Sequence, residues 1–174
     1  MIIPAILEKN FTEIKNKILL LDQFCPNFQI DIVDGHATDG ESYLNAKMLD
    51  TIQTEATFEL DLMVENPQDY VNERIVSVFK VCANINALKN IPEFIQKAKE
   101  QDYLVGVSIN VDTPLDLIDS LVGDLDYIQF MGVVPGAQGR TFDKKVIAKI
   151  KDFKRINIFI YENFIDFSIF NFID

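Results

Sequence analysis

Two aspartates stand in the middle of stretches that otherwise read as buried strands. One stretch is Phe28-Gln29-Ile30-Asp31-Ile32-Val33-Asp34-Gly35-His36, a β-favouring run closed by an Asp-Gly turn signal. The other is Phe58-Glu59-Leu60-Asp61-Leu62-Met63-Val64. Side chains alternate along a strand, so Gln29, Asp31 and Val33 share one face and Glu59, Asp61 and Met63 share another. A buried carboxylate costs several kcal/mol unless it is paired, hydrogen-bonded or protonated. Two of them close together, with no metal between them, should raise one carboxyl's pKa, which suits proton transfer. The chemistry on offer is therefore general acid–base work. The alternative is a hydrogen-bonded polar cluster with a structural role.

The elements that must position these groups repeat the same pattern. Residues 79–84 put Phe79, Val81 and Ala83 opposite Lys80, Cys82 and Asn84. Residues 104–110 put Val105, Val107 and Ile109 opposite Gly106, Ser108 and Asn110, and residues 127–131 put Ile128 and Phe130 opposite Tyr127, Gln129 and Met131. Each strand has a greasy face and a polar or small one. That fits a parallel barrel whose greasy faces lie under outer helices and whose polar residues converge on the interior mouth. Glu59 lies deeper than Asp61 on the same face and is expected to pair with Lys80. His36, the chain's one histidine, is expected on a surface loop.

In chain order the pattern predicts strands at 2–7, 28–33, 57–64, 78–84, 104–110 and 126–133. It predicts helices at 10–22, 39–53, 67–76, 92–101, 114–121 and 143–153, with Asp112-Thr113-Pro114 capping the fifth. A seventh strand is expected at 156–161. Alternation of this kind implies a parallel sheet. The reading is an α/β chain of the (β/α)8 TIM-barrel type, incomplete, with about six to seven βα units. Residues 1–153 form the partial barrel domain. Residues 154–174 are an atypical Phe/Ile-rich tail, read as a truncated or out-of-frame end or as an apolar closing helix. Exposed barrel edges would draw the tail into the gap or favour a homo-oligomer.

Bulk composition narrows the partners. The 174 residues suggest one domain, and 48% of them are hydrophobic. The net charge of −11 argues against nucleic acid and anionic membranes. An anionic small molecule stays open, because backbone amides bind phosphate locally. Gly136-Ala137-Gln138-Gly139, between a strand and a helix, is the candidate loop. Cys25 and Cys82 lack metal-ligand spacing and suit a reducing, cytoplasmic setting. No apolar run reaches the ~18 residues of a membrane span.

Pro4-Ala5-Ile6-Leu7, QIDIVDGH (29–36), FELDLMVENP (58–67), VSINVDTPLD (107–116) and MGVVPGAQGRTF (131–142) follow one another as in the ribulose-phosphate 3-epimerases, which the chain resembles over about residues 2–153. The resemblance implies an isomerase that epimerises a ketose phosphate at C3 through an enediolate. One aspartate removes the proton and a second reprotonates from the opposite face. Two histidines and the aspartates hold a divalent metal in that family. Asp31 matches the first metal-binding, acid/base aspartate. Met63 and Met131 match pocket methionines, and Gly136, Ala137, Gln138 and Gly139 match the phosphate loop. The sequence departs from the pattern at Ala5, where a substrate-contacting serine is expected. Gln29 and Asp61 replace the two expected histidines, and no Asp-Gly-Gly for the second aspartate is present. Asp31, Asp61 and Gln29 are oxygen ligands, which shifts the preference from zinc or iron towards magnesium, manganese or no metal. A catalytically inactive sugar-phosphate-binding barrel is the alternative reading.

Overall fold

The computed structural model describes residues 2–156 and 165–166. Seven strands lie side by side in sequence order, all parallel: β1 (Ala5–Ile6), β2 (Asn27–Val33), β3 (Thr57–Met63), β4 (Val78–Asn84), β5 (Leu104–Ile109), β6 (Tyr127–Phe130) and β7 (Ile165–Asp166). The helices are α1 (Phe11–Leu21), α2 (Ile91–Glu100), the single turn α3 (Asp116–Asp119) and α4 (Lys145–Ile156). The expected order and direction of the first six strands hold. β1 is shorter than predicted, and beside it the Pro4 carbonyl accepts from Gln29 N at 2.9 Å. Of the predicted seventh strand, Ile156 ends α4 and 157–161 lie outside the described residues. The short β7 comes later, with Asp166 in register beside Gln129.

The greasy faces form one continuous core. Phe28, Ile30 and Ile32 of β2 join Phe58, Leu60 and Leu62 of β3, then Val105, Val107 and Ile109 of β5. Ile14 and Ile18 of α1, Phe94 and Ala98 of α2, and Val146, Ile150 and Phe153 of α4 close over them. Asn10 caps α1 by accepting from Glu13 N at 3.0 Å, and Asn90 caps α2 in the same way through Glu93 N at 3.2 Å. Fully burying one Phe or Ile side chain contributes about 1.5–3 kcal/mol, so this layer dominates the stability.

Three predicted helices are corrected. Residues 39–53 hold only a 3-10 helix, Ala46–Thr51. Upstream of it the backbone is bound elsewhere: Ser42 N donates to Val33 O and Tyr43 N to Glu8 O, both at 2.8 Å. Ala46, Leu49 and Ile52 are buried at a spacing of three, the period of a 3-10 helix. Residues 67–76 likewise keep only the 3-10 turn Pro67–Tyr70. There Ile75 N donates to Tyr103 Oη at 2.7 Å, and Val76 N and Ser77 N donate to the Asp50 carboxylate at 3.1 and 2.8 Å. Side chains of distant elements have taken the donors a helix would need. The predicted fifth helix, 114–121, shrinks to α3, and Asp112-Thr113 does not cap it. The Thr113 hydroxyl instead accepts from Asn110 N at 3.1 Å.

Asp50 thus stands in for a missing helix, holding Val76, Ser77 N and the Ser77 hydroxyl (2.6 Å) at once. Asp50→Ala is expected to lower the unfolding free energy by about 1–2 kcal/mol, measured by urea denaturation. An unchanged midpoint would show that the 67–77 segment is held without it.

Candidate active site

The polar faces of the strands converge inside the curl of the sheet and are buried. Gln29, Asp31, Glu59, Asp61, Lys80, Ser108 and Gln129 all lie there. The register explains their company. Gln29 stands beside Glu59 and Asp31 beside Asp61 on β2 and β3, and Glu59 stands beside Lys80 on β4. A bulge between Phe58 and Glu59 shifts the β3–β4 register by one residue, and it is what brings Lys80 rather than Phe79 beside Glu59.

The deeper layer is an ion pair. Lys80 Nζ lies 2.8 Å from Glu59 Oε2 and 4.0 Å from the centre of the Tyr127 ring. Gly106 makes room for that ring, since a Cβ there would lie 2.6 Å from it. The predicted Glu59–Lys80 pairing is therefore present.

The layer above holds the two aspartates. Gln29 Nε2 donates to Asp31 Oδ1 at 2.9 Å, and Gln129 Nε2 donates to Asp61 Oδ2 at 2.7 Å. Each carboxyl keeps one oxygen, Asp31 Oδ2 and Asp61 Oδ1, without a hydrogen bond among the described residues. Burial, then the neighbouring Asp61 carboxylate, push the Asp31 carboxyl well above the usual range against the pull of Gln29. Burial and the Glu59 charge raise Asp61 to about 7, opposed by Gln129. The same burial drives the Cys82 thiol upward, so Cys82, in register with Asp61, is an inert thiol.

Over this layer lies the glycine loop. Leu7, Asp31, Met63, Met131, Val133, Pro135, Gly136 and Ala137 line a recess too narrow to admit a water molecule. Gly136 and Gly40 interlock across the mouth, both at positive φ (98° and 105°). A Cβ on Gly40 would lie 2.0 Å from Gly136 O, and one on Gly136 would lie 1.9 Å from Asp39 O. Thr38 Oγ1 donates to Pro135 O at 3.1 Å, and Gln138 Nε2 reaches Leu7 O at 3.0 Å. Arg140 Nη1 donates to Pro135 O at 2.7 Å. The backbone amides of Gly136, Ala137 and Gln138 donate to none of the described residues, which leaves them free for an anion.

Asp31, Asp61, Gln29, Met63, Met131 and the loop from Gly136 to Gly139 thus gather at one end of the sheet. Ala5 lies beside Gln29 in register. His36 is exposed, beside the Asp34-Gly35 turn. There Asp34 accepts from His36 N and Ala37 N through Oδ1 and from Glu65 N through Oδ2, which ties two loops together. The sequence reading left Gln129 without a role, although its inward place on β6 was plain from the alternation.

The donor set does not fit the histidine–aspartate metal centre that the resemblance implies. Among the described residues no three His, Cys, Asp or Glu side chains come together as ligands. One oxygen of each aspartate is occupied by a glutamine amide.

A parallel α/β sheet curled around buried acids, with a glycine loop after β6 at the strand C-termini, has the arrangement of the sugar-phosphate barrel class. The profile of the Ribulose-phosphate 3 epimerase family matches residues 1–169, and the chain belongs to that family. It is 30% identical over 161 residues to a ribulose-phosphate 3-epimerase of Bacillus subtilis, covering 88% of this chain and 72% of the relative. It is 31% identical over 172 residues to the enzyme of that name from Methanocaldococcus jannaschii, covering 95% and 70%. Among solved structures, a mutant tryptophan synthase alpha-subunit from Pyrococcus furiosus superposes with a TM-score of 0.65 at 12% identity, over 97% of this chain and 78% of that one, a likeness of fold. No helix among the described residues is long and apolar enough to cross a membrane.

The raised carboxyls make stability depend on pH. A carboxyl whose folded pKa is raised binds its proton more tightly in the folded state. Its stabilising effect is complete below the unfolded value and is lost as pH rises through the folded one. For Asp61 that window runs from 3.8 to about 7. The wild type is expected to lose stability to urea between pH 5 and pH 8, and Asp61→Asn to lose less. Parallel slopes for the two proteins would contradict the shift.

Proposed function

We propose that the chain is an isomerase that moves a proton at C3 of a ketose phosphate, with ribulose 5-phosphate as the reference substrate. The observation that carries this reading is Asp31 Oδ2, without a hydrogen bond among the described residues and lying beneath Met63, Met131 and a glycine loop with unspent amides. Family membership supplies the reaction class.

The amides of Gly136, Ala137 and Gln138 take the phosphate, and Arg140 braces the loop by holding its carbonyls rather than the ligand. The narrow recess requires the 134–137 segment to move outward before a sugar can enter. Once bound, the sugar is shielded from bulk water, which strengthens each electrostatic contact. Gln29 fixes the orientation of Asp31 by holding Oδ1, so Oδ2 is the atom that takes the C3 proton and gives it back. The methionines offer a soft apolar wall around the planar enediolate. Asp61 stands beside Asp31 on the next strand. It serves to raise the basicity of Asp31 and does not oppose it across the sugar. Residues 1–153 with β7 act as one barrel domain, and a reducing cytoplasm suits Cys25 and Cys82, both free thiols.

The purified chain, incubated with ribulose 5-phosphate in D2O, is expected to place deuterium at C3 through Asp31 with little xylulose 5-phosphate formed, because inversion needs a proton from the opposite face and no described residue is placed to give it. Asp31→Asn should lower the exchange rate by about 10²–10⁴, the usual contribution of one general acid or base. EDTA should leave exchange unchanged. An absence of exchange in the wild type would defeat the reading, and exchange that depends on added Mn2+ would restore a metal to it.

A further inference from the structure

A second space adjoins the recess and its chemistry is unused by the reaction. A cavity of about 580 Å³ opens between the C-terminal ends of β3, β4 and β5. It shares Met63, Val134 and Pro135 with the recess over Asp31. A sugar whose phosphate lies on the glycine loop and whose C3 lies at Asp31 has its C1–C2 end left to place, and this is the adjoining room.

The far wall is made of neutral amides. Asn84 ends β4, Asn110 follows β5, and Asn86 lies two residues beyond Asn84; all three line the cavity. Asn84 Nδ2 donates to Asn110 Oδ1 at 3.1 Å, and Asn84 Oδ1 accepts from Asn86 N at 3.1 Å. Asn86 Nδ2 reaches Thr113 Oγ1 at 3.5 Å. Asn110 Nδ2 and Asn86 Oδ1 then make no hydrogen bond to any described residue, which leaves one donor and one acceptor available.

The wall is also held in place. Lys149, from α4, donates to the carbonyls of Asn110 (2.7 Å), Val111 (3.0 Å) and Thr113. Charge in the lining balances, with Lys89 against Glu65. A second phosphate or a carboxylate would call for a basic wall. Uncharged, braced amides suit hydroxyl and keto groups, where a lost partner leaves a polar group unpaired and so gives discrimination.

We propose that Asn84, Asn86 and Asn110 form a subsite for the hydroxyketone end of a ketose phosphate, with Asn110 Nδ2 as donor to the C1–C2 oxygens. This rests on the epimerase reading above.

The test is calorimetric titration of the chain with ribulose 5-phosphate, its 1-deoxy analogue and inorganic phosphate. The wild type is expected to bind the 1-deoxy compound about three- to ten-fold more weakly, the worth of one hydrogen bond. Asn110→Leu should bind the two sugars alike while keeping its affinity for phosphate. Asn86→Ala, at an exposed side chain, should narrow the gap and carries the test if Asn110→Leu does not fold. A wild type indifferent to the C1 hydroxyl, or a gap unchanged in the folded variants, overturns the subsite and leaves the epimerase reading standing. If neither sugar phosphate binds, both fall together.

Discussion

Three carboxylates and one ammonium are enclosed inside this sheet, and the rest of the structure is arranged around that imbalance. Glu59 and Lys80 settle each other's charge in the lower layer. Asp31 and Asp61, one layer up, have no cation in contact among the described residues. Removing charge from water without a partner costs far more than any single packing contact returns. The structure answers with two amide donors and with protons retained above the usual carboxylate range. Gln29 and Gln129 therefore do more than fill positions. Imidazole at either place would serve a metal, whereas an amide can hold one carboxylate oxygen and leave its twin available.

The same arrangement explains the economy of the outer layer. Between β2 and β4 the helical cover shrinks to 3-10 turns, yet Phe58, Leu60 and Val81 remain buried. Asp50 and the Tyr103 hydroxyl supply from the side what i to i−4 bonds would supply from within. That side of the barrel is secured by contacts between distant residues, so it forms only once the strands are paired.

Alternation made the strands legible, because a period of two survives in each of them and the acids break it in a visible way. The Glu59–Lys80 pair followed from the same rule, and the surface place of His36 from the Asp34-Gly35 turn before it. Helices at 39–53 and 67–76 were not legible as absences. Their sequences carry helical spacing, and what overrides it is the capture of Ser42, Ile75, Val76 and Ser77 amides by groups from other elements, which no local window contains. The resemblance located Asp31, the methionines and the loop. It could not reveal that glutamine amides hold both acids: Gln29 shares a strand face with Asp31, but Gln129 meets Asp61 only because β6 lies within reach of β3.

Gly40 and Gly136 meet backbone to backbone, one after β2 and the other after β6. Neither tolerates a side chain without moving the other, so the two loops form a single part contributed by two distant regions of the chain. Insertions or deletions in either should be viable only when matched in its counterpart. Aligned relatives would then vary there in pairs, as a hinge and its pin must be cut to one gauge.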